Sequence, residues 1–204
     1  VQNLVEYGNV TMPDLPGLGG MDSFYMIGRK PTLDAYADYL AAWIKLRYRG
    51  KKITIIGISF GFIIATRMLQ RYPELAKQVA LVVSIVGFMH YGDFLYLDKV
   101  QKVYQIFSRV FSLRPLPTII RYGFLNYPVI KNIYTRTSSG KRRFKEVGAD
   151  RFEKLVRYET KLWQINDVRT HWYTTSQFLG LDNCQKQIDA QLFHVSSDND
   201  QYFD

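Results

Sequence analysis

The chain has 204 residues, close to half of them apolar, and a net charge of +9. That length supports one domain with a core and an insertion, and no apolar run approaches the roughly 18 residues that would span a bilayer. Cys184 is the sole cysteine, so an intrachain disulfide is excluded; a reducing, cytoplasmic setting is the matching expectation.

The charge is unevenly placed. Residues 88–161 hold 15 Lys and Arg against 6 Asp and Glu, and the rest of the chain holds 12 of each. The whole excess therefore lies in the middle third.

In chain order, Val10-Thr11-Met12 reads as the end of a strand, followed by a turn-rich loop from Pro13 to Gly20. Thr32 is placed to cap a helix running to about Tyr48, with Leu33, Tyr36, Ala37, Leu40 and Ile44 at helical spacing and Gly50 beyond its end. Ile53 to Gly57 is an apolar strand. Phe62 to Tyr72 is a helix that stops before Pro73, and Val79 to Val86 is a second apolar strand. Unbroken apolar strands alternating with helices indicate an α/β fold whose parallel sheet is covered on both faces.

Between the first strand and its helix stands Gly57-Ile58-Ser59-Phe60-Gly61, a Gly-x-Ser-x-Gly pentapeptide. A nucleophilic serine needs this context, because a sharp strand-to-helix turn exposes its hydroxyl at the start of a helix. Gly57 and Gly61 are small because strand and helix nearly touch there. Ser59 is the nucleophile candidate, and the backbone N–H of Phe60 is the candidate oxyanion donor. The plainer alternative is a serine that only caps the helix.

After Gly87 the character changes. Residues 94–161 are rich in Tyr, Phe, Arg and Lys, with Pro115, Pro117 and Pro128 breaking helices and Ser138-Ser139-Gly140 marking a loop. This reads as a helical insertion, which divides the chain into core 1–87, insertion 88–161 and core 162–204. Phe94, Leu95, Tyr96, Val100, Val103, Tyr104, Ile106, Phe107, Val110 and Phe111 form a bulky apolar surface. It suits packing of the insertion onto the core, an acyl tunnel, or a contact with a lipid surface. Lys141-Arg142-Arg143-Phe144-Lys145 reads as a solvated basic loop, and nucleic-acid binding is not expected from a charge confined to one insertion. Tyr158 to Leu179 is helical again, and Ala190 to Val195 is a short strand. No metal-ligand spacing, phosphate loop or dinucleotide fingerprint is present, so neither metal nor cofactor is expected.

The chain resembles the α/β-hydrolase superfamily. The resemblance rests on the pentapeptide at 57–61, on Asp14-Leu15-Pro16-Gly17-Leu18-Gly19 as the family's Asp-x-Pro-Gly-x-Gly loop, and on Ser197-Asp198-Asn199-Asp200 near the family's acid position. It implies a serine hydrolase with a helical cap over residues 88–161, taking a hydrophobic small-molecule acyl substrate through an acyl-enzyme on Ser59. An acyltransferase and a non-catalytic binding protein are the alternatives on the same scaffold. Asp200 is the expected triad acid, with Asp198 and Asp93 as rivals. The family order of Ser, acid, His leaves no histidine after Asp200, since His90, His171 and His194 all precede it. The expectation is therefore a fragment truncated at both ends, lacking its base and inactive alone.

Overall fold

The computed structural model describes residues 2–137 and 148–196. Ser138-Ser139-Gly140, the basic run Lys141 to Lys145, and Asp198 and Asp200 lie outside the described residues.

Helix α1 (Leu33–Arg47) starts where expected, with the Thr32 hydroxyl accepting from Ala35 N at 3.1 Å. Strand β1 (Ile53–Ile58) leads directly into α2 (Phe60–Arg71), and Pro73 opens the single turn α3 (Pro73–Ala76). Strand β2 (Val79–Ile85) follows, and β3 (Leu192–Val195) completes a parallel sheet in the order β1-β2-β3. The register sets Ile58 level with Ile85, and Ile85 level with Val195. All three strands therefore end along one sheet edge.

Between β2 and β3 the described helices are α4 (Asp98–Phe111), α5 (Leu116–Ile119) running into a π turn (Ile120–Phe124), α6 (Tyr127–Arg136), α7 (Ala149–Ile165) and α8 (Val168–Phe178). Pro128 does not break a helix. It sits in the first turn of α6, where its missing N–H costs no hydrogen bond.

Helix α2 is the centre of the core. Ile63, Ile64 and Met68 are fully buried, with α1 on one side through Ala37, Ala41 and Ile44 and the sheet on the other through Ile55, Val79 and Val82. Asp34 and Asp38 of α1 pair with Arg67 and Arg71 of α2, which fixes the register of the two helices. The loop after Met12 is tied down from several sides. Tyr36 Oη donates to Pro16 O at 2.7 Å, Asp167 N to Gly17 O at 2.8 Å, and Gly19 N to Asn166 Oδ1 at 2.8 Å. Gly17 has φ +85°, and a β-carbon there would meet the Thr170 side chain at 2.7 Å, so only glycine fits.

Four further expectations are corrected. Val10-Thr11-Met12 is not a strand; it is exposed and irregular, and no described strand runs beside it to supply a ladder. The helix expected from Tyr158 to Leu179 is two helices. Asp167 breaks it by accepting from Thr170 N at 2.6 Å, an N-cap that starts α8 afresh. The sheet is covered on one face only among the described residues. Ile56 and Ile58 of β1 and Phe193 and Val195 of β3 point away from α2 and are exposed. Finally, the apolar surface from Phe94 to Phe111 splits. Phe94 and Tyr96 join an aromatic cluster with Phe88 and Phe178, and Phe111 packs on Trp172 at 5.1 Å, while Leu95 and the apolar residues of α4 from Val100 to Val110 are exposed.

Tyr36→Phe deletes a buried hydroxyl and leaves Pro16 O without its donor. The expected cost is about 1–3 kcal/mol in denaturant-induced unfolding, read as a lower midpoint at unchanged slope. An unchanged midpoint would contradict the anchoring role given to this bond.

Candidate active site

Ser59 lies between the last residue of β1 and the first of α2, with φ 48° and ψ −115°. A non-glycine residue at positive φ is strained. The strain follows from the tightness of the turn: a β-carbon at Gly57 would sit 2.5 Å from Phe62 Cα, so strand and helix backbones touch. Ser59 N donates to Ile85 O at 3.0 Å, which ties the turn to the end of β2. The side chain of Ser59 makes no capping hydrogen bond, so the plainer reading of a helix-capping serine does not hold. Gly61, in contrast, has open space around its missing β-carbon, so the size argument applies to Gly57 alone.

The N–H groups of Phe62 and Ile63 donate back to Ser59 O at 3.0 and 3.4 Å. Phe60 and Gly61 have no preceding helical carbonyl to donate to, and their N–H groups open the positive end of α2 beside the serine. The Phe60 side chain packs edge-on against Tyr36 at 5.6 Å and leans on Phe178 at 6.3 Å. Phe178 in turn stacks with Phe94 and meets Phe88, so an aromatic wall stands next to Phe60.

Val86, just past β2, also has positive φ, at 50°. A β-branched residue is the least suited to that conformation. Its N–H donates to Val195 O at 2.9 Å, extending the ladder by one rung. Two strained residues thus stand at adjacent strand ends, on the edge where open parallel sheets hold their ligands. Nothing in the sequence flags Val86. A cavity of about 530 Å³ is lined by Leu33, Asp34, Phe60, Arg67 and Phe178, and Ser59 is not in its wall.

The three histidines each have a local role. His90 Nδ1 accepts from Gly92 N at 3.0 Å, and Asp93 Oδ2 accepts from His90 N and Met89 N, both at 2.9 Å. This reciprocal pair caps a short turn (Tyr91–Asp93) and occupies the Asp93 carboxylate. His194 Nδ1 lies 2.9 Å from Ser84 Oγ across the β2–β3 pair. His171 is wedged edge-on between Trp163 and Trp172, and this burial pushes its imidazole down to about 4. Among the described residues, no three of His, Cys, Asp and Glu converge to hold a metal ion.

The alpha/beta hydrolase fold family matches residues 9–114, more than half of the chain. The chain belongs to that family. No protein with curated annotation matches it. Among solved structures, a thermophilic esterase from Thermogutta terrifontis superposes with a TM-score of 0.61 at 14% identity, over 96% of this chain and 63% of the esterase. The N-acyl homoserine lactonase AidH, in complex with N-hexanoyl homoserine, superposes with a TM-score of 0.53 at 15% identity, over 94% of this chain and 60% of the lactonase. The chain thus spans less than two thirds of the length of these structures.

The partly buried His171 makes stability pH-dependent. Its folded-state pKa lies below the 6.5 of a free imidazole, so the unfolded chain binds the proton more readily and stability falls as pH drops from about 6.5 toward 4. At pH 5 the loss attributable to this residue is roughly 2 kcal/mol. Denaturation at pH 7.5 and pH 5 should show the native chain losing that much more than His171→Phe. Equal losses would contradict the assignment.

Proposed function

We propose that the protein is a serine hydrolase that cleaves an ester or related acyl bond. Ser59 attacks the carbonyl carbon, the leaving alcohol departs, and water releases the acid from the acyl-enzyme. The Phe60 N–H donates to the oxyanion of the tetrahedral intermediate. The observation that carries this reading is the backbone of Ser59, strained at positive φ on the strand-end edge, with its hydroxyl free of the helix. A structural serine has no use for that strain; a nucleophile does.

Asp200 is the proposed acid. The chain leaves β3 after Val195 at the same edge as Ser59, and Asp200 follows five residues later in sequence. The base must be an imidazole, and His90, His171 and His194 are engaged elsewhere. None of the three is therefore placed as the base, and we propose the activity for the whole protein, with an imidazole that the described residues do not supply. The apolar composition of the insertion favours a hydrophobic acyl or aromatic substrate. The helices of residues 88–161 would act as the cap over the site. The names of the two similar structures fit this bond class. At their low identity they support the fold, and the substrate rests on assay.

The test is hydrolysis of p-nitrophenyl esters of increasing acyl length by the 204-residue chain, by a longer form, and by Ser59→Ala in each. The expected result is turnover only by the longer form, reduced by at least about a thousandfold in Ser59→Ala. Turnover by the 204-residue chain that Ser59→Ala abolishes would move the base to one of the three histidines. Turnover that survives Ser59→Ala in the longer form would refute the reading.

A further inference from the structure

Helix α4 is packed inside out. Its buried line is polar: Gln101 and Ser108 are almost fully buried, at 4% and 3% exposure, with Ser112 just beyond. This line forms the seam with α8 and is satisfied by hydrogen bonds. Gln101 Nε2 donates to Tyr91 O at 2.8 Å and to Leu179 O at 2.9 Å, and Gln105 Nε2 donates to Ser176 O at 3.2 Å. The apolar residues lie on the opposite arc. Val100, Val103, Tyr104, Ile106, Phe107 and Val110 are all 40–63% exposed. A helix normally buries its apolar stripe and wets its polar one. Here hydrogen bonds hold the helix in place and the apolar arc is left over.

We propose that this arc docks on an anionic lipid surface, with α4 lying in the plane of the interface. Three observations select lipid. The first is the charge beside the arc. Lys99, Lys102 and Arg109 follow one helical line, at i, i+3 and i+10, next to the line of Val100, Val103, Phe107 and Val110. Residues 94–125 carry five Lys and Arg and a single acid, Asp98. An apolar arc with a basic shoulder matches an interfacial helix, whose cations meet headgroups while its apolar side enters the acyl boundary. Second, a second copy of this chain would bring the same basic shoulder to the contact and be repelled. Third, the apolar exposure continues beyond both helix ends, through Leu95 and Leu97 before it and Leu113 after it. At 14 residues, or about 21 Å, α4 is too short to span, and among the described residues no helix is long and apolar enough to cross a membrane. The inference rests on α4 alone and does not depend on the role given to Ser59.

Co-sedimentation of the 204-residue chain and of the longer form with vesicles tests it, and binding by the 204-residue chain that the longer form lacks would overturn it. The vesicles are phosphatidylcholine alone, or phosphatidylcholine with about a third phosphatidylglycerol. The expected result is binding to the anionic vesicles, at least about tenfold weaker to the neutral ones and weakened by high salt. Val103→Asp with Phe107→Asp should lower that binding by about tenfold or more, and Lys99→Glu with Lys102→Glu should remove the preference for anionic lipid. These positions are exposed, and an unchanged thermal midpoint confirms that the variants fold. No binding to either vesicle, or equal binding by Val103→Asp/Phe107→Asp, would overturn the proposal. So would a dimer in sedimentation equilibrium that this variant dissociates, since the arc would then be a self-association surface.

Discussion

Everything around the site depends on the contact between two backbones, that of β1 at Gly57 and that of α2 at Phe62. No side chain fits between them. Because strand passes into helix with no spacer, one residue must make the turn, and Ser59 makes it at positive φ. Helix α2 is then enclosed from several sides: Met68 packs with α1 and the sheet, Ile64 with Phe24 and Tyr36, and Ile63 with Phe88 and Leu179. Core burial, worth roughly 1.5–3 kcal/mol per large side chain, thus holds a conformation that costs about 1–3 kcal/mol at Ser59. A strained serine persists only where the surrounding structure determines it this firmly.

The other segments are attached to this α2 platform largely by polar bonds. Gln70 Nε2 reaches Asn183 O and Lys186 O, and Asn183 Nδ2 reaches Thr66 Oγ1, which secures the stretch leading toward β3. The loop at 14–20 hangs from Tyr36 and from the corner between α7 and α8. Helix α4 is held by Gln101 and Gln105. Apolar burial builds the centre, and directional hydrogen bonds orient what surrounds it. That division explains how α4 can be firmly placed while its apolar arc stays exposed.

Much of this was legible from residue order. The elements at 33–47, 53–58, 60–71 and 79–85 have strong periodicity or short apolar runs with clear stop signals, and the Gly-x-Ser-x-Gly turn announces itself by its small residues. What escaped depends on tertiary partners. Val10-Thr11-Met12 has strand composition, yet a strand exists only beside another. The break at Asp167 was hidden because apolar spacing carries on across it, although an Asn-Asp pair followed by a polar third position is a capping signal in retrospect. Periodicity measures how wide the apolar arc of α4 is and is silent on which side a neighbour packs. The strain at Val86 contradicts its own side-chain preference, so no local signal could reveal it. The local roles of His90 and His194 likewise come from the Asp93 and Ser84 partners that folding brings to them.

The central claim is that Ser59 is a nucleophile and not merely a turn residue. It is tested most directly by treating a longer form of the protein with an alkyl fluorophosphonate and mapping the adduct by mass spectrometry. A single phosphonyl group on Ser59 is expected, absent in Ser59→Ala and blocked by prior incubation with a slowly hydrolysed ester. Full labelling at another residue, or no labelling of a folded protein that turns over esters, would contradict it.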